Sequence, residues 1–236
     1  MNQSPVQVGS SLAEAVSAAV GRALRESYGQ VGIGLSGGLD SALLLKSILD
    51  AGARPVVFTI AGSPSHPDLL AALRLAHEWG VRHIAMLPSA DDVMRAAEDI
   101  GKRPGPSNKG DDAFWLLAEL MAASGITDVL ATDGIDEQMG GYWEHRSGDQ
   151  AVYDSILNEL EPRHLTPLRA SMARHGLWLH LPYLDDELRA TIAGIPLAER
   201  STREESKIPW RRLATSCGVP DWVLQREKVG GCDALS

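Results

Sequence analysis

Basic residues, cysteine and long apolar runs are all scarce in this chain of 236 residues, and each scarcity excludes something. Lys and Arg number 22 against 31 Asp and Glu, a net charge of −9. Nucleic-acid binders usually carry a basic surplus, so no nucleic-acid partner is expected. The two cysteines, Cys217 and Cys232, form no CxxC or zinc pattern and are expected to be free thiols. The seven histidines include no HExxH, and His77 and His83 fall on different expected elements, so no structural metal is expected. No apolar run reaches the roughly 18 residues that span a bilayer. The opening MNQSPVQVGSS has neither a basic n-region nor an apolar h-region. A cytoplasmic protein with no membrane partner is the expectation.

What is present suits a folded globular core. The chain is 44% hydrophobic and 22% charged, enough to build a sizeable interior in one large domain or two small ones. Apolar residues at Leu12, Val16, Ala19, Val20 and Leu24 predict an amphipathic helix over 11–27, capped by Ser10 or Ser11. Strands are predicted at 31–35, 55–60, 81–87 and 127–131, and helices at 40–50, 68–79, 90–99 and 111–123. The Pro/Gly/Ser stretch 101–110 reads as a loop. Strands alternating with such helices indicate an α/β fold, a parallel sheet covered by helices on both faces. Beyond about 145 the strand signal fades. Short helices are predicted near 150–160, 162–175, 185–194 and 203–216. The expected organisation is an α/β core over 1–145 and a helical C-terminal region over 146–236 that completes the site. Ligands of open parallel sheets sit beyond the carboxyl ends of strands, so the loops after 35, 60, 87 and 131 should line it.

The first of those loops is SGGLDS, residues 36–41, set between a strand and a helix. Its glycines let phosphate oxygens approach the backbone, and the following helix offers free N–H groups and a positive dipole end. Ser36 and Ser41 add hydroxyl donors. The Walker pattern G-x-x-x-x-G-K-[ST] is absent. Asp40 would repel a phosphate unless a cation lies between them, which makes it a candidate Mg²⁺ ligand. An acid near a helix N-terminus is also favourable without any metal. The second stretch, ATDGIDEQMGGY at 131–142, follows the fourth strand and crowds Asp133, Asp136 and Glu137 between glycines. It could supply a second carboxylate to the same cation, or be a surface turn. Arg203, Lys207, Arg211, Arg212, Arg226 and Lys228 cluster late in the chain, as a solvated face or as a site for a multiply charged small molecule.

SGGLDS matches the PP-loop of ATP pyrophosphatases, enzymes that split ATP between the α and β phosphates. With Gly134, Asp136, Glu137, Gly140, Gly141 and Tyr142 of the second stretch, the sequence resembles the synthetase domain of asparagine synthetases and the related β-lactam synthetases. Pro182, Tyr183, Leu184 and Asp185 in HGLWLHLPYLDDEL (175–188), then SKIPWRRLA (206–214) and VPDWVLQREKVGG (219–231), extend the resemblance over about residues 12 to 231. It implies an adenine nucleotide α-hydrolase-like fold with ATP and Mg²⁺ as cofactors. Asp40 and Asp136 would hold Mg²⁺. Leu35 and Gly134 would border the nucleotide, Ser36, Gly37, Gly38 and Ser41 would cradle its pyrophosphate, and the backbone of Phe58, Thr59 and Ile60 would meet adenine. Lys228 would face the α-phosphate, Lys207 would help neutralise pyrophosphate, and Asp133 would take the proton of an attacking amine. The implied reaction adenylates a small-molecule carboxylic acid and passes the acyl group to ammonia or an amine.

The departures from that family are specific. Full asparagine synthetases begin with a glutaminase domain whose nucleophile is the cysteine after the initiator Met. Asn2 stands here, so ammonia is expected free or from a glutaminase or other protein partner. Trp178 and His180 replace the family's Glu and Arg, which points to an acceptor less polar than aspartate unless Trp178 is simply core. Trp115 and Trp143 read as packing residues. A homodimer is left open. The rival readings are a PP-loop tRNA-modifying or sulfur-transfer enzyme and a non-catalytic nucleotide-binding subunit.

Overall fold

The computed structural model describes residues 5–103, 105–226 and 234–235, with side chains of the first helix from residue 11 onward. Lys228 and Cys232 lie outside the described residues.

The chain opens with α1 (Pro5–Glu26), β1 (Val31–Gly34), α2 (Leu39–Asp50), β2 (Val56–Ile60), α3 (Pro67–Glu78) and β3 (His83–Met86). It continues through α4 (Ala90–Ile100), α5 (Asp111–Ala123), β4 (Asp128–Leu130), α6 (Ile135–Met139) and a 3₁₀ turn (Trp143–Ser147). Next come α7 (Gln150–Glu159), a π-helical stretch (Leu160–Leu165), α8 (Thr166–Arg174), β5 (Trp178–His180) and a second 3₁₀ turn (Pro182–Leu184). It closes with α9 (Asp186–Ala193), α10 (Leu197–Arg200), α11 (Ile208–Ser216) and α12 (Asp221–Leu224). α4 starts on a capping box, in which Ser89 Oγ accepts from Asp92 N while Asp92 Oδ2 accepts from Ser89 N.

All five strands are parallel, in the order β3-β2-β1-β4-β5. Successive strands step one way from β1 to β3, then cross back to β4 on the other side of β1. That reversal separates the loops leaving β1 and β4 and opens a crevice at their carboxyl ends. SGGLDS leaves β1 and DGIDE leaves β4, so the topology alone puts both motifs on the crevice.

Each face of the sheet carries its own apolar layer. Ile33, Leu35, Val57 and Leu130 pack with α1, α2, α9 and α11 residues such as Leu12, Leu44, Leu188 and Trp210. Val56, Phe58, Ile60 and Val129 pack on the other side with Trp115, Leu116, Met121 and Met172. The alternation along β2 follows from the two-residue period of a strand.

One expectation changes. The strand signal does not end near residue 145, because Trp178–His180 adds a fifth parallel strand beside β4. Three residues on an edge leave no alternation to read, and only pairing with β4 reveals the strand. The first apolar layer also runs from Leu12 to Val223, so residues on both sides of 145 share it. Among the described residues no helix is long and apolar enough to cross a membrane.

Candidate active site

β1 ends at Gly34, and Leu35 continues the strand direction, its N–H bonding Phe58 O at 2.7 Å. The chain then turns through Gly37 at φ 68°, a left-handed angle that favours glycine. A Cβ there would also strike the backbone of α3 at Ala71 and Ala72. Gly38 caps α2 without a side chain, so no side-chain acceptor covers the first amides of that helix. Ser36 Oγ and Ser41 Oγ lie 3.3 Å apart beside them. Uncapped helix amides and two hydroxyls could hold an anion there.

Asp40 sits in the first turn of α2, and Asp136 in the first turn of α6, which Gly134 caps. They converge on one cation. Lys207 Nζ lies 2.7 Å from Asp40 Oδ2 and 2.7 Å from Asp136 Oδ1. Only 4% of Lys207 is exposed. Burial opposes its charge, but the two carboxylates outweigh that and raise its pKa above the ordinary lysine value. Asp40 Oδ1 is buried with no hydrogen-bond partner among the described residues. Gly141 makes room for the group: a Cβ there would overlap Asp136 Oδ1 and press on Lys207 Cε.

A second pair stands beside the first. Asp133, between β4 and α6, approaches His164 Nε2 through Oδ1 at 2.5 Å. His164 lies on the π-helical stretch, where Pro162 supplies no N–H to a regular ladder. The bond to Asp133 raises the His164 pKa despite opposing desolvation, and the charges of Asp133, Glu137 and Asp111 add to the rise. Phe114 meets the imidazole edge-on at 6.4 Å. Behind the pair, Tyr142 OH donates to Glu137 Oε1 at 2.7 Å. Burial pushes the Glu137 carboxyl upward, against the pull of that hydrogen bond.

Distant segments hold these loops. Tyr183 OH donates to Asp40 O at 3.2 Å, and Gln138 Nε2 donates to Tyr183 O at 2.7 Å. Asp185 caps α9 and takes two 2.7 Å hydrogen bonds from Arg22 of α1. Arg226 pairs with buried Asp68 of α3, and its Nη1 donates to Ser36 O at 3.3 Å. Further on, Ala234 O accepts from Gly62 N at 2.8 Å, just past β2.

A family model described as Asparagine synthase matches residues 11–153 and 143–235. The chain belongs to the asparagine synthase family. Human asparagine synthetase [glutamine-hydrolyzing] is 26% identical over 224 residues, and the enzyme of Cricetulus griseus is 28% identical over 224. Each match covers 88% of this chain and 40% of the relative, so the chain spans well under half the length of the relatives it matches. Among solved structures, an NMN synthetase from Francisella tularensis superposes with a TM-score of 0.53 at 16% identity, covering 98% of this chain and 78% of that one. That likeness, with the five-stranded parallel sheet, shows the adenine nucleotide α-hydrolase-like fold.

The family chain thus brings together Ser36, Gly37, Gly38, Asp40, Ser41, Asp133, Gly134, Asp136 and Lys207. Leu35 and Phe58–Ile60 border the loop, but their polar groups are largely spent within the sheet. Thr59 Oγ1 donates to Leu35 O at 2.6 Å and meets His83 Nε2 at 2.9 Å. Lys228 lies outside the described residues. The basic cluster does not form one face. Lys207, Arg211 and Arg226 are engaged internally, while Arg203 and Arg212 are exposed.

The readings of Trp143 and Trp178 need correction. Trp178 is 70% exposed and pairs in register with Asp128 at the amino end of β4, the opposite edge from Asp40 and Asp136. It is neither core nor positioned to meet an acceptor. Trp143 is 74% exposed, with the Arg146 guanidinium 4.5 Å above its ring. Trp115 is buried, as expected of a packing residue.

The donor set suits a phosphate-bound divalent cation. Among the described residues no three His, Cys, Asp or Glu side chains form a metal cage. Mg²⁺ usually takes one or two carboxylates and completes its shell with phosphate oxygens and water. Asp40, with one oxygen unpartnered, and Asp136 across from it fit that need.

Proposed function

We propose that this chain is an ATP-dependent, AMP-forming amide synthetase acting on a small-molecule carboxylate. The observation that carries the reading is the meeting of Asp40 and Asp136 on one cation position, beside a glycine-rich loop at the switch point of the sheet. Mg²⁺ held by the two aspartates would offset charge on the triphosphate.

The chain's own groups do the rest. The α2 amides with Ser36 and Ser41 bind the β and γ phosphates and stabilise the departing pyrophosphate. A carboxylate oxygen of the substrate attacks the α-phosphorus, the bond to the bridging oxygen breaks, and an acyl-adenylate forms. By the resemblance to the family, Lys228 is proposed to face the α-phosphate. An amine nitrogen then attacks the acyl carbon and AMP leaves. The Asp133–His164 pair takes the proton that the nitrogen loses. The nitrogen donor is ammonia, free or delivered by a protein partner, or another amine; the relatives matched here are named as glutamine-hydrolysing.

Pyrophosphate release from ATP and Mg²⁺ is the test, run with a panel of carboxylic acids and ammonium. Release that depends on one acid, and is lost in both Asp40→Ala and Asp136→Ala while their circular dichroism is unchanged, supports the proposal. Release at the wild-type rate from either variant contradicts it.

A further inference from the structure

We infer that the Lys207 ammonium and a divalent cation are alternative occupants of one position between Asp40 and Asp136, so that Lys207 acts as a tethered stand-in that a metal–triphosphate must displace. The inference rests on assigning the two aspartates to a divalent cation and adds what this lysine does to that cation's binding.

The geometry comes first. The ammonium donates to Asp40 Oδ2 at 2.7 Å and lies 2.7 Å from Asp136 Oδ1, which is where a bridging cation would sit. It reaches only one oxygen of Asp40 and leaves Oδ1 buried with no partner among the described residues. An ammonium has three donors and a single charge, whereas a divalent cation takes six or more oxygens. Two carboxylates facing one ammonium keep a net negative charge, and a divalent cation would cancel it. The arrangement therefore serves a lysine adequately and a metal better.

The backbone is consistent with a built position. Lys207 is the one non-glycine among the described residues with positive φ, 55°, in the left-handed region where L side chains are strained. It stands at the N-cap of α11, and Arg211 N bonds its carbonyl at 2.9 Å. The main chain is thus pinned while the side chain crosses toward α2 and α6 past the bare Cα of Gly141. Four rotatable methylenes let the ammonium withdraw without moving that backbone.

The consequence concerns order of binding. A tethered ammonium competes at a high effective concentration, so a free aquo cation, which sheds water reluctantly, meets an occupied pair. A cation arriving on a triphosphate brings the anion that the displaced ammonium can then neutralise. Metal and nucleotide are expected to bind together and metal alone weakly.

Free Mn²⁺, followed by its electron paramagnetic resonance signal, is the probe. Lys207→Met should bind Mn²⁺ without nucleotide at least about tenfold more tightly than wild type, a change of about 1.4 kcal/mol. Asp40→Asn in the Lys207→Met background should abolish the gain. Melting curves guard against misfolding: Mn²⁺ should raise the melting temperature of Lys207→Met much more than that of wild type. Equal Mn²⁺ affinity and equal thermal response in the two chains overturn the stand-in role and leave the aspartate assignment intact. No Mn²⁺ bound by either chain, even with a non-hydrolysable ATP analogue, overturns the assignment and the stand-in with it.

Discussion

The Asp133 carboxylate and the His164 imidazole, 31 residues apart in sequence, meet at 2.5 Å beside the Asp40–Asp136 pair. The contact raises the His164 pKa above its ordinary 6.5, so the ring keeps its proton to higher pH than a free imidazole. A pair that must accept a proton works only once that proton has gone. Amide formation should therefore speed up as pH rises through a value above 6.5. His164→Gln should remove this inflection and slow amide formation, while ATP–pyrophosphate exchange, which reports adenylation alone, changes little. Asp133→Asn should lower the His164 pKa, measured by NMR. The linkage has the matching sign: the pair's contribution to folding is full below 6.5 and is lost as pH climbs through the folded value. An unchanged pH profile in His164→Gln would refute the assignment.

Arg226 joins the C-terminal segment to the PP-loop through Asp68 and Ser36 O. Asp68 is only 3% exposed, so Arg226→Ala leaves a buried carboxylate without its guanidinium. Such losses cost about 3–5 kcal/mol. Urea unfolding should show that cost, and Asp68→Ala added to it should restore much of the stability. Additive losses in the double variant would mean that the pair is not coupled.

Glu137 is buried against Tyr142 with its pKa raised above 4.5. A carboxyl raised by folding gives up stability as pH increases from 4.5 through the folded value. Glu137→Gln keeps an acceptor for Tyr142 OH and removes the charge. It should be more stable than wild type at neutral pH, read as a higher melting temperature. The two proteins should converge in acid. A variant that melts lower than wild type at neutral pH contradicts this account of the burial.

Gly141→Ala tests space rather than charge. Its methyl group would overlap Asp136 Oδ1 and crowd Lys207 Cε. Pyrophosphate release should fall by at least tenfold, about 1.4 kcal/mol of barrier, with the circular dichroism spectrum preserved. Wild-type release from this variant would show that the aspartate and lysine are not held as described.

Much of this was legible before any coordinates. Four parallel strands follow from short β-branched runs between helices, and the loop order follows from them. Asp40 and Asp136 could be paired through the resemblance to asparagine synthetases, since the stretch after the fourth strand by itself offers three acids, Asp133, Asp136 and Glu137. β5 was hidden, because three residues on an edge take their conformation from β4 and not from their own pattern. His164 was hidden for a related reason: one histidine on a helical stretch carries no signal until Asp133 is brought to it. Tyr183 and Arg226 were visible as motif letters, but their bonds to Asp40 O and Ser36 O are tertiary facts. The tryptophans misled because an aromatic residue suggests a core or a pocket, and Trp143 and Trp178 are on the surface.

The central claim is cleavage of ATP between its α and β phosphates at the loop beside Asp40. ³¹P NMR of ATP consumed with Mg²⁺, ammonium and the carboxylic acid panel tests it directly. The account predicts AMP and pyrophosphate in equal amounts with one or more of the acids. ADP with orthophosphate, or intact ATP with every acid of the panel, would contradict it.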